Sequence, residues 1–176
     1  TVFDVDVARM RYIDEVWGGR IGTRFSSPLA VREACGESDV VIGSVLVPGA
    51  RTPHLVDHET VLGMVPGSVL VDIAVDQGGC FEDSHPTTHA DPTFVVGGSV
   101  FYCVANMPGA VPHTSTYALT NATMRYVLLL ADEGWRGACG SRDDLRRGLA
   151  TCGGKLVSAP VGEALGIECV PVSEVL

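Results

Sequence analysis

Val69-Leu70-Val71-Asp72-Ile73-Ala74-Val75-Asp76-Gln77-Gly78-Gly79-Cys80 decides how this chain is read. The run is almost wholly apolar, as buried strands of parallel sheets are, and it closes on a carboxylate followed by two glycines. In an open parallel sheet, ligands settle in the crevice outside the carboxyl ends of the strands, so Asp76 stands where such a fold places a reacting group. Gly78 and Gly79 let the backbone turn sharply and approach a bound molecule. A plain strand end and tight turn account for the same letters, and the rest of the chain has to decide between the two.

Outward from that run the same pattern recurs. Residues 1–4 read as a short strand that also ends on a carboxylate, Asp4, followed by a helix over 7–15 with Met10 and Ile13 on its apolar side. Residues 20–25 are a second strand. Ser27 then caps a helix with Pro28 at its first position, running to about residue 35, where Gly36 is placed to stop it. Residues 39–43 read as a third, buried strand, and 45–47 prolong its apolar run. After the Pro48-Gly49 turn a helix is predicted near 57–64. The strand proper of the opening run covers 69–72, and 93–96 and 100–105 are two more, separated by Gly97-Gly98. Strands alternating with helices through short loops imply an α/β fold with a largely parallel sheet.

The texture changes after Pro112. Residues 114–133 read as one long helix, with Leu119, Ala122, Tyr126 and Leu130 at helical spacing, ended by Gly134. Shorter helices follow around 143–149 and 160–165, with a strand-like Lys155-Leu156-Val157 between them. A domain boundary falls near His113, giving units 1–112 and 113–176.

Composition narrows the function. Twelve basic residues against twenty-one acidic ones give a net charge of −9 with no local basic patch, which argues against a nucleic-acid partner. No apolar run reaches the length of a membrane span. The six cysteines are scattered, without a C-x-x-C pair, and read as buried free thiols of a reducing compartment. His85 and His89 are four apart, but Pro86 lies between them, so no metal site is expected.

Phe81-Glu82, Pro86-Thr87-Thr88-His89, Tyr102-Cys103-Val104-Ala105-Asn106-Met107-Pro108-Gly109-Ala110-Val111-Pro112 and Thr114-Ser115-Thr116-Tyr117-Ala118-Leu119-Thr120-Asn121-Ala122-Thr123 follow the opening run in a telling order. In order and spacing these segments closely resemble bacterial alanine dehydrogenases, over residues 1–175. Transhydrogenase subunits share the strand-and-turn plan without the full Asp-Gln-Gly-Gly-Cys-Phe-Glu run. The resemblance implies a Rossmann-like, doubly wound parallel sheet followed by a helical C-terminal segment that belongs to the substrate domain. The G-x-G-x-x-G turn should precede the ribose-binding acid by about twenty residues. The chain opens three residues before Asp4, so the expectation is a sheet lacking its first βα unit, and hence a fragment of the enzyme. Gly18-Gly19 and Gly97-Gly98 are no substitutes, because neither opens a helix after a strand.

The resemblance also implies site roles. Asp4 falls on the acid that accepts hydrogen bonds from the adenosine ribose, whose charge favours NAD over NADP. Arg9 and Ser26 fall on further cofactor contacts, and Val45 and Leu46 on the apolar floor under adenine or ribose. Ile73, Ala74, Val75 and Asp76 form the wall by the nicotinamide, with Asp76 as the catalytic carboxylate that handles protons as an imine forms and is hydrolysed. Val104, Ala105, Asn106 and Met107 end the following strand and face nicotinamide and substrate. His85 stands where the family often carries a cofactor-contacting arginine, and Glu133 where relatives have a histidine implicated in metal binding; a solvated helix end is the expectation for Glu133. The implied activity is reversible, NAD-linked oxidative deamination of L-alanine to pyruvate and ammonia, in the cytoplasm, by a homo-oligomer that is hexameric in the family. Alone, the chain is expected not to turn over. The alternatives are the nucleotide-binding part of a transhydrogenase alpha subunit, or a truncated, non-catalytic remnant.

Overall fold

Short strands rich in β-branched residues, the first two each followed by a capped helix, set the first part of the molecule. A computed structural model describes residues 1–176. It divides into two units, one of residues 1–46 and 52–105, the other of 47–51 and 106–176.

The first unit opens with β1 (Val2–Asp4), α1 (Val7–Trp17) and β2 (Thr23–Phe25), a parallel strand pair joined by a helix. Asp6 caps α1 by accepting the N–H groups of Ala8 and Arg9, and Gly18 ends it in the left-handed region. Ser27 accepts the Ala30 N–H at 3.3 Å to start α2 (Pro28–Gly36), which closes on Glu37 one residue beyond the predicted stop. Then come β3 (Val40–Gly43), α3 (His58–Leu62), β4 (Val69–Asp72), β5 (Thr93–Val96) and β6 (Ser99–Tyr102). These strands form one sheet of order β3-β4-β6-β5, in which β3, β4 and β6 run parallel and β5 is antiparallel to β6. The β5–β6 turn is Gly97-Gly98, both at positive φ, which a two-residue hairpin of this twist requires.

Leu70 and Phe101 face each other across β4 and β6, and with Val61, Phe81, Cys80, Cys103 and Met64 they make the core. Phe101 stacks on Phe94 at 5.0 Å and meets Phe81 edge-on at 6.0 Å. Such pairs add about 0.5–1.5 kcal/mol each beyond their burial.

The α/β class and parallel sheet agree with the reading of the sequence; one detail does not. The third strand is not buried: Ile42 is 60% exposed, because β3 is an edge strand, and β1 and β2 pair only with each other. β4 stops at Asp72, as the sequence predicts, and there the side chain takes the Ala74 N–H at 3.0 Å. The long helix breaks at Gly134, as the sequence predicts.

In the second unit a single 3₁₀ turn (Met107–Ala110) leads into α4 (Pro112–Ser141), which breaks at Gly134 (φ 67°, ψ 166°) and resumes through residues 135–141. Next are α5 (Asp143–Gly148), the hairpin β7 (Thr151–Cys152) with β8 (Lys155–Leu156), and α6 (Ala159–Leu165). Arg146 and Arg147 both reach back to Asp143 on α5. Leu119, Ala122 and Leu130 on α4 are exposed, while Tyr126 is half-buried and its hydroxyl donates to Asp144 at 3.0 Å. No helix is long and apolar enough to cross a membrane.

Candidate active site

Parallel pairing aligns the carboxyl ends of three strands. Gly43 lies opposite Asp72 and Val71 opposite Tyr102, so the segments leaving β3, β4 and β6 emerge on one edge of the sheet. Those segments carry Val45 and Leu46, Ile73 to Asp76, and Val104 with Ala105. Ile73 N–H donates to Gly43 O at 2.8 Å, tying the first two together. Leu46 and Ile73 are 65% and 56% exposed, two apolar side chains held in solvent at the edge. Ala74, Val75 and Val104 are buried, so what they offer outward is backbone. Asp76 sits in the 3₁₀ turn Val75–Gln77 with its side chain exposed.

The loop that holds Asp76 is organised by a residue that reading the sequence passes over. Asp72 is fully buried, and its carboxylate collects four donors. Oδ1 accepts the Ala74 N–H at 3.0 Å; Oδ2 accepts those of Cys80 at 2.8 Å and Phe81 at 3.4 Å, and the Ser84 hydroxyl at 2.5 Å. From the other side, Thr52 N–H donates to Gln77 O at 2.8 Å, while its hydroxyl donates to Val45 O at 3.4 Å. Leu55 N–H donates to Cys80 O at 2.7 Å, and Glu82 N–H to Val56 O at 2.9 Å. Burial pushes the Cys80 and Cys103 thiols up, and the Asp72 charge adds to it; neither is a ready nucleophile.

The remaining predicted residues stand elsewhere. Asp4 ends β1 and Ser26 follows β2 on the same side of that pair, with Ser26 N–H donating to Asp4 O at 2.9 Å. Asp4 Oδ1 accepts the Asp6 N–H at 2.9 Å, and its carboxylate forms no ion pair, which leaves acceptor capacity for a ligand's hydroxyls. Arg9 lies in the first turn of α1 with its guanidinium over Tyr12 at 5.9 Å. The His85 ring stacks on Phe94 at 3.8 Å. Asn106 and Met107 belong to the second unit; Asn106 takes φ 60°, a left-handed conformation that asparagine tolerates. Glu133 is exposed and accepts the Ser141 hydroxyl at 3.0 Å.

Residues 1–159 match the family model described as the alanine dehydrogenase/PNT C-terminal domain. The chain belongs to this family. It is 57% identical over its full length to an alanine dehydrogenase of Mycolicibacterium smegmatis, and covers 47% of that protein. Among solved structures it is similar to an L-alanine dehydrogenase (TM-score 0.79, 45% identity, 93% of this chain and 45% of the other). It is less similar to a transhydrogenase from Sinorhizobium meliloti (TM-score 0.59, 28% identity, 75% of this chain and 38% of the other). The chain thus spans about half the length of the alanine dehydrogenases it matches.

Proposed function

We propose that this chain is the C-terminal half of an NAD-linked alanine dehydrogenase, which interconverts L-alanine with pyruvate and ammonia in the cytoplasm as a homo-oligomer, a hexamer in the family. On this reading residues 1–112 complete a dinucleotide-binding domain and 113–176 pack on a substrate domain. The observation that carries the proposal is the alignment of three parallel strand ends, whose outgoing segments expose the Asp76 carboxylate and the apolar Ile73 and Leu46.

Bound NAD supplies the oxidant that removes two electrons from the substrate's carbon–nitrogen unit. Asp4 accepts hydrogen bonds from the adenosine ribose, with Ser26 and Arg9 beside it, and Val45 and Leu46 form the apolar support. The backbone of Ile73, Ala74, Val75, Val104 and Ala105, with Asn106, Met107 and His85, holds the nicotinamide end. Asp76 accepts a proton from the substrate nitrogen as the imine forms and holds it for the hydrolytic step.

The test is a chimera in which this chain follows the N-terminal half of the Mycolicibacterium smegmatis relative. It should produce NADH from alanine, and Asp76→Asn should lower kcat by about 10²–10⁴-fold with NADH binding and thermal midpoint kept. A near-parental rate in the variant would sink the assignment. NADH oxidation that needs NADP and a membrane partner, in place of pyruvate and ammonia, would move the chain to the transhydrogenases.

A further inference from the structure

We infer that Asp72 is the positioning residue for Asp76: its buried carboxylate closes the 72–84 loop and sets where the Asp76 turn projects. The inference rests on the reading of Asp76 as the proton carrier. Asp72 lies on the core face of β4 with Leu70, with no exposed surface and no ion pair. An ionised carboxylate has two oxygens with about four acceptor sites. Here three backbone N–H groups and one hydroxyl take them up, from residues two, eight, nine and twelve positions onward. Such a group is spent on donors and has nothing left for substrate.

What it holds is the frame of the turn. Ala74 N–H fixes the start of the turn and Cys80 N–H its return. Gly79 makes the closure possible: it sits at φ +83°, and a Cβ there would lie 2.9 Å from Asp72 Oδ2 and 2.9 Å from Ser84 Cβ. The Thr52 and Leu55 N–H groups clamp the far side at Gln77 O and Cys80 O. Asp76 itself makes no side-chain hydrogen bond in this frame, so its placement is set by the turn alone. Errors of about 1 Å in a reacting group cost about 10²-fold in rate, which is why the frame matters to turnover and not merely to folding.

Four variants of the chimera test this: Asp72→Asn, Ser84→Ala, Asp76→Asn and the double Asp72→Asn/Asp76→Asn. In Asp72→Asn an NH₂ replaces an acceptor opposite N–H donors. Without cofactor, amide exchange at Ala74, Cys80 and Phe81 should then quicken by about tenfold or more, the loss expected for a hydrogen bond to a charged group. With substrates, kcat should fall by about 10²-fold while the KM for NAD moves less than about threefold. Because Asp72 acts through Asp76, the double variant should be no slower than Asp76→Asn. Losses that multiply overturn the inference, as do protected amides or an unchanged kcat in Asp72→Asn. Should that variant fail to fold, Ser84→Ala, which removes one bond of the four, decides: a kcat lowered by about threefold or more supports the role and an unchanged one refutes it. An Asp76→Asn variant with full turnover sinks the catalytic reading itself, separately from the role of Asp72 in the loop.

Discussion

Gly43→Ala adds one methyl group at the end of β3, and the structure leaves no room for it. The new Cβ would lie 2.6 Å from Cys80 Cβ, 3.0 Å from Phe81 Cζ and 3.1 Å from Cys80 Sγ. Carbon atoms in contact prefer about 3.5–4.0 Å, so one side has to retreat by roughly 1 Å. Cys80 is pinned: its N–H is held by Asp72 and its carbonyl accepts from Leu55 and Val56. Phe81 is buried and packs edge-on against Phe101. Overpacking of this kind costs about 1–3 kcal/mol, and yielding would loosen at least one hydrogen bond worth about 0.5–1.5 kcal/mol. The expected loss is about 2–4 kcal/mol, or roughly 4–16 °C in a domain of this size. Gly36→Ala is the control: no atom lies within 4 Å of its Cβ, and it closes α2, so the same substitution should leave stability unchanged or raise it by up to about 1 kcal/mol. Thermal unfolding of the chimera, followed by circular dichroism, reads both. A Gly43→Ala midpoint within 2 °C of the parent's (a margin of about 1 kcal/mol or less) would refute the close packing of β3 on the Cys80–Phe81 turn.

Two further outcomes follow from the same geometry. Asp4→Ala should raise the KM for NAD by about 10²-fold or more with little change for pyruvate, since two charge-assisted hydrogen bonds of about 1.5–3 kcal/mol each would be lost; equal changes in both constants would remove Asp4 from the cofactor site. Asp57 is held below the ordinary carboxylate range, first by the Thr60 hydroxyl and N–H that it caps and then by Arg32, so its stabilisation is complete above the unfolded value and fades as pH falls through the folded one. Urea midpoints between pH 6 and pH 3 should therefore fall less steeply for Asp57→Asn than for the parent, and parallel curves would refute the cap's role.

Most of the architecture is legible in the letters because local rules and the fold agree. Ser27 followed by Pro28 does start α2, and the apolar run ending at Asp72 is a central strand. The misreadings come where the answer depends on a distant neighbour. Val40 and Ile42 have the composition of a buried strand, but burial is a property of the strand alongside, and β3 has a partner on one side only. Gly134 marks the break correctly; the helical segment 135–141 beyond it carries Gly137 and Gly140, poor helix formers, so local propensity gives no sign that the helix resumes. The stacking of His85 on the Phe94 ring likewise depends on a strand nine residues later, which the letters around His85 do not announce.

The candidate site shows the same limit most sharply in two aspartates four residues apart. A strand continued from 69 to 76 would put Asp72 and Asp76 on the same face, and alternation offers no ground for giving them different work. The structure separates them because Asp72, two residues past Leu70 and on the same buried face, meets N–H groups of Cys80 and Phe81 that have no ladder to join. Those donors arrive only because Gly78 and Gly79, both at positive φ, fold the chain back over the strand end. A carboxylate buried without a cation is tolerable when donors saturate it, and saturation is what disqualifies it from proton transfer. The inward aspartate thus makes the turn that leaves the other one outside. The signal for this division was present in the sequence as an acid inside an apolar run followed by paired glycines and a serine. Reading it requires knowing that the glycines close the loop on the first aspartate and not on the second.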